Sequence, residues 1–120
     1  MPDNTKADLI HDSDAGIERL LEIMRRLRDP DTGCPWDIEQ DFDSIAPYTI
    51  EEAYEVADAI ERRDWPELEG ELGDLLLNLS FQIVLGEERR AFTAASVMER
   101  LEEKMWERHP HLFGLGEKED

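Results

Sequence analysis

At 120 residues the chain has the size of one domain around one hydrophobic core. Its 31 acidic residues against 13 basic ones leave a formal net charge of −18, which excludes general nucleic-acid binding and docking on an anionic membrane, since both need an excess of Lys and Arg. Cys34 is the only cysteine and cannot form an intrachain disulfide. No apolar run has the length of a signal peptide or a membrane span, so a cytoplasmic location is expected.

Residues 1–12 are polar and predict a flexible N-terminus, residues 13–114 a helical domain, and residues 115–120 a charged tail. Ile17, Leu20, Leu21, Met24 and Leu27 trace one face of a first helix, with Ser13 or Asp14 as its N-cap and an end near Arg28, before the breakers Asp29 to Gly33. Cys34 to Pro47 reads as irregular, with room for a short helical turn. Thr49 and Glu52 have capping-box spacing and predict a second helix from about Ile50 to Arg62. Asp64 and Glu67 repeat that spacing ahead of a long third helix from about Trp65 to Glu88, in which Pro66 is tolerated near the start. Thr93 caps a fourth helix that ends near Arg108, before His109-Pro110.

Nothing alternates with the two-residue period of a strand, so the fold class is all-α, a bundle of about four main helices. On the third helix Leu68, Leu72, Leu75, Leu76, Leu79 and Ile83 form one face, while Leu77, Phe81, Val84 and Leu85 cover others. A helix apolar nearly all round needs burial on all sides, which predicts completion of the bundle by a homodimer or higher homo-oligomer.

Glu71, Asp74 and Asn78 form a narrow polar line on that apolar helix, at i, i+3 and i+7. Burying carboxylates costs several kcal/mol unless basic partners, hydrogen bonds or a cation compensate. Glu52 and Glu55, with Glu51 beside them, give the second helix a matching line. If the two helices pack antiparallel, ExxE faces ExxD and offers hard oxygen ligands suited to Mg²⁺ or Mn²⁺ and not to zinc. The same acids also have plainer uses: Glu51 and Glu52 favour a helix's first turn, and Glu55 can simply be solvated.

Glu51-Glu52-Ala53-Tyr54-Glu55 followed by Glu71-Leu72-Gly73-Asp74 resembles the EExxE…ExxD signature of the all-α nucleotide pyrophosphohydrolases. The likeness to the MazG branch covers most of the chain, from about Ile17 to Gly114. It includes the run RLRDPDTGCPWD from Arg26 to Asp37, the segment Ile45-Ala46-Pro47-Tyr48-Thr49, and His109-Pro110-His111-Leu112-Phe113-Gly114. The resemblance implies hydrolysis of a nucleoside triphosphate between the α and β phosphates, with Glu52, Glu55, Glu71 and Asp74 holding Mg²⁺, and Mn²⁺ as a possible substitute. Glu51 is then a further ligand or helps to activate water. Lys104 and Arg108 match phosphate-binding positions of the MazG pattern and share one helical face, or else complement the negative end of the fourth helix. Asn78 is left to bond the sugar or a metal-bound water, or to serve a buried structural role. Trp36, in a loop bounded by Gly and Pro, either stacks on the base or packs in the core. Arg25 and Arg28 reach the nucleotide or decorate the first helix, with decoration favoured, while His109 and His111 terminate the fourth helix.

Many MazG proteins carry two tandem copies of the module; here one copy is present with its acids complete. The implied role is house-cleaning of non-standard nucleotides. Its rivals are a non-catalytic nucleotide- or metal-binding module and a helical interaction domain with solvated acids.

Overall fold

A computed structural model describes residues 8–113; the expected charged tail and the first seven residues lie outside them. The described chain is all-helical: α1 Ile17–Leu27, α2 Pro35–Glu39, α3 Phe42–Glu61, α4 Trp65–Glu88, α5 Ala94–Arg108 and α6 Pro110–Phe113, preceded by a 3₁₀ turn at Leu9–His11. No β-strand occurs among the described residues. That 3₁₀ turn lies within residues 1–12, the segment expected to be flexible. Asp8 caps it and pairs with Arg26 of α1 at 2.8 Å, and Arg19 Nε donates to the Ile10 carbonyl at 2.7 Å.

α1 is capped by Gly16 and not by Ser13 or Asp14. Gly16 takes φ 60°, a left-handed conformation that glycine adopts without the Cβ penalty. The larger correction concerns α3, which begins eight residues before Ile50. Asp41 accepts from the Ser44 N–H at 2.8 Å while Ser44 Oγ accepts from the Asp41 N–H at 2.9 Å, so the capping box lies there. Pro47 lies inside α3 near its start, where it removes one backbone bond without ending the helix. The Thr49–Glu52 pair that imitates a capping box is interior.

α4 and α5 begin and end as their caps predict. Asp64 accepts from the Glu67 N–H, and Thr93 forms a reciprocal box with Ser96. Glu67 leaves its own box incomplete because its carboxylate pairs with Arg62 at 2.9 Å. Both inter-helix turns pass through non-glycine residues with positive φ, Arg63 and Arg90, each at 57°.

α3 and α4 form an antiparallel hairpin, and α1 lies across the C-terminal half of α4. Leu21 and Met24 of α1, Ile45 of α3, and Phe81, Val84 and Leu85 of α4 make the buried core. Only part of α4's apolar surface is covered. Leu72, Leu76 and Leu79, from the apolar face expected to need a second copy, are exposed on the single chain, whereas Phe81, Val84 and Leu85 are buried. α5 buries none of its residues.

At the α4–α5 turn a Cβ on Gly86 would come within 2.1 Å of the Phe92 ring. Phe92 folds back over that glycine and meets Phe42 with ring centroids 6.4 Å apart. Gly86→Ala is therefore expected to displace Phe92 and lower stability by about 1–3 kcal/mol, read as a lower urea midpoint with an unchanged denaturant slope.

Candidate metal centre and adjoining cavity

The register of the α3–α4 hairpin brings acid opposite acid. Thr49 meets Asn78 and Gln82 near the core, and one turn further along α3 Glu52 meets Asp74. Carboxylate oxygens of Glu52, Glu71 and Asp74 all lie within 4.8 Å of one another. Glu55 stands beside this trio and is the nearby charge that most raises Glu71, yet it is not one of the three. Glu51 is exposed at the margin next to Glu52.

Among the described residues none of these five acids pairs with Lys or Arg. Burial, followed by the charges of Asp74, Glu51 and Glu55, holds the Glu52 carboxyl above the usual range. Burial also raises Glu71, with Glu55, Asp74, Glu52 and Glu67 adding to it. Converging oxygen donors with no thiolate or imidazole among them, and uncompensated negative charge, fit a hard divalent cation.

Next to the trio a cavity of about 340 Å³ runs between α1, α2, α3 and α4. Glu52 and Asp74 form its acidic edge, and Trp36, Tyr48, Asn78 and Phe81 are among its walls. Trp36 is half exposed at the rim and not in the core, and it meets Tyr48 edge to face with centroids 6.3 Å apart. Asn78 is buried, and its Oδ1 accepts from Thr49 Oγ1 and Gln82 Nε2, both at 2.8 Å.

Residues 40–113 match the MazG nucleotide pyrophosphohydrolase domain. The chain belongs to that family. It is 53% identical over 97 residues to a nucleoside triphosphate pyrophosphohydrolase of Escherichia coli (strain K12), covering 81% of this chain and 37% of that one. A Thermotoga maritima protein named nucleoside triphosphate pyrophosphohydrolase/pyrophosphatase MazG is 46% identical over 103 residues, covering 84% and 40%. A Mycobacterium tuberculosis nucleoside triphosphate pyrophosphohydrolase is 37% identical over 104 residues, covering 85% and 32%. The chain thus spans well under half the length of these curated relatives.

Not every expected site residue of this MazG domain converges. Lys104 and Arg108 lie exposed on α5, which packs against α4 and α6. Neither belongs to the acid trio or lines the cavity, and neither side chain makes an ion pair or hydrogen bond among the described residues. Lys104 instead lines a separate groove with Phe92, Val97 and Arg100. His109 caps α5, its backbone N–H bonding to the Met105 and Trp106 carbonyls, as expected of a terminating residue. Arg25 and Arg28 neither decorate α1 nor reach the acids: Arg25 forks onto Glu87 and Arg28 onto Glu88, tying α1 to the end of α4.

Tyr48 and Asp37 line the cavity; in the sequence both stand within the family motifs, with no role given to either. For Tyr48 the signal is present: with α3 starting after Asp41, Ile45, Tyr48 and Glu52 share one face at i, i+3 and i+7. Reading that stretch as irregular hides it. Asp37 has no comparable periodic signal.

The raised carboxyls carry a testable consequence. A carboxyl raised on folding binds its proton more tightly in the folded state, so its ionisation destabilises the metal-free domain as pH rises through the folded value. Glu71→Gln is therefore expected to melt higher than the wild type in EDTA at pH 8. That difference should shrink toward zero as the pH falls through the range just above that of an ordinary glutamate. Scanning calorimetry across pH checks it.

Proposed function

We propose that this MazG domain hydrolyses nucleoside triphosphates between the α and β phosphates, yielding a nucleoside monophosphate and pyrophosphate. The observation that carries this reading is the convergence of unpaired carboxylates, Glu52, Glu71 and Asp74, at the edge of an aromatic-walled cavity. Mg²⁺, or Mn²⁺ in its place, would be held by Glu52, Glu55, Glu71 and Asp74, and would supply neutralisation of the phosphate charge and acidification of the attacking water. Water attacks the α-phosphorus, the bond to the bridging oxygen breaks, and pyrophosphate leaves with that oxygen. Glu51 serves as a further ligand or accepts the proton of the attacking water. Glu51→Gln separates the two roles, since lost metal affinity marks the first and lost kcat with intact metal affinity the second.

In this reading Trp36 stacks on the base at the cavity mouth, with Tyr48 braced against it, and the buried Asn78 donates its amide N–H to a sugar oxygen or a metal-bound water. The phosphate clamp of Lys104 and Arg108 comes from a second copy of the chain. Two unpaired apolar surfaces support that homodimer: Leu101, Met105 and Trp106 on α5, and Ile50, Tyr54, Leu72 and Leu76 on α3 and α4. Substrates are broad or non-standard nucleotides in a cytoplasmic house-cleaning role, without nucleic-acid or membrane partners.

A panel of canonical and damaged triphosphates, incubated with and without Mg²⁺, tests the reaction. The expected products are monophosphate and pyrophosphate, formed only with metal and stopped by EDTA. Diphosphate with orthophosphate would refute the cleavage site, and nucleotide binding without turnover would favour a non-catalytic module. Asp74→Asn is expected to lower kcat by on the order of a hundredfold or more; retained activity would sink the carboxylate assignment. Lys104→Ala should raise KM with metal affinity intact, and sedimentation should give twice the 13.9 kDa chain mass.

A further inference from the structure

Arg28 sits at the C-terminal end of α1 with its side chain only 10% exposed, and its guanidinium is engaged on every side. Nε and Nη2 fork onto the Glu88 carboxylate, both at 2.7 Å. Nη1 donates to the backbone carbonyls of Asp37 and, at 3.0 Å, of Gln40. The cation also lies over the Phe81 ring, 5.4 Å from its centroid. A planar fork can serve an acid, two carbonyls and a ring together; a lysine ammonium cannot reproduce that set.

The two carbonyls belong to the end of α2. This helix has five residues, far fewer than an isolated helix needs, and buries none of them. Apart from the helical bond back to Cys34, the only hydrogen bonds joining residues 35–40 to the rest of the chain, among the described residues, come from Arg28. Yet α2 carries Trp36 and Asp37, which form one wall of the cavity beside the carboxylates. Glu88 anchors the arginine from α4, the helix that also supplies Asp74, Asn78 and Phe81.

We propose that Arg28 is a positioning residue for the nucleotide, fixing α2 to α4 so that Trp36 and Asp37 stand at a set distance from the acid cluster. The nucleotide part rests on the function proposed above. Arg28 touches neither the cavity's contents nor the acids, so its loss should weaken nucleotide binding while sparing metal binding and the chemical step. A residue that only stabilised the fold would not separate KM from kcat in this way.

Quenching is read in the full chain with Trp65→Phe and Trp106→Phe, which leaves Trp36 as the sole tryptophan reporter, and kinetics and Mn²⁺ affinity in the chain that keeps all three tryptophans. In Arg28→Lys, acrylamide quenching of Trp36 without ligand should increase. KM for ATP with Mg²⁺ should rise roughly tenfold while kcat stays within about twofold, and Mn²⁺ affinity should not change. Glu88→Gln, which keeps the arginine and removes its anchoring charge, should move the same readouts less far and guards against a variant that does not fold. Unchanged quenching and KM in either folded variant would overturn the proposal. So would a fall in kcat and Mn²⁺ affinity at constant KM. A wild-type protein that hydrolyses no triphosphate would overturn the nucleotide part together with the function it rests on; increased Trp36 quenching in Arg28→Lys would then still establish the hold on α2.

Discussion

The α3–α4 hairpin holds together groups that repel one another. Glu52, Glu71 and Asp74 share a few ångströms of space with no basic partner among the described residues, and Glu55 and Glu51 add to the field. What opposes this repulsion lies one and two turns closer to the core, where Ile45 packs into the apolar cluster and Thr49, Asn78 and Gln82 bond to each other. Those contacts fix the register, and the register sets the acids. A polar triad centred on buried Asn78, with half-buried Thr49 and Gln82, tolerates little sliding of one helix past the other, because a slip would strand its donors and acceptors. The cavity wall, the acid edge and the path of α1 across α4 all follow from this pairing.

The sequence made the helical class and the longer C-terminal helices legible through their caps. Asp64 and Thr93 begin α4 and α5 where side-chain acceptors meet orphan N–H groups, a signal local enough to read in a few residues. The same rule misleads at Thr49, whose hydroxyl bonds across the hairpin to Asn78, a partner 29 positions away that no local pattern announces. Pro47 compounds the error, since a proline reads as a boundary unless the true cap is seen upstream at Asp41.

For the site, the acid spacing was legible because helical periodicity alone aligns Glu52 with Glu55 and Glu71 with Asp74. Which of the four would come closest was not, because that depends on the tilt and register of the hairpin. Which part of α4 the chain itself buries was not legible for a related reason. Its leucines outnumber the positions α1 and α3 can cover, so hydrophobicity along the helix does not say which face the chain itself fills. Long-range ion pairs such as Arg25–Glu87 and Arg28–Glu88 were equally invisible, since in a chain with 31 acids almost any arginine has an acid to meet.

The two turns that bound α4 carry arginine in a backbone conformation that favours glycine. Arg63 and Arg90 both sit at φ 57°, where an L-residue with a Cβ is strained by about 1–2 kcal/mol. Arg63 recovers part of this by donating from Nη1 to the Ile60 carbonyl at 2.9 Å, acting as side-chain cap to the helix it ends. The domain therefore carries latent slack at both ends of the helix that supplies half its acids. Its thermal tolerance can be tuned at the hinges while the carboxylates and the cavity are left as they are.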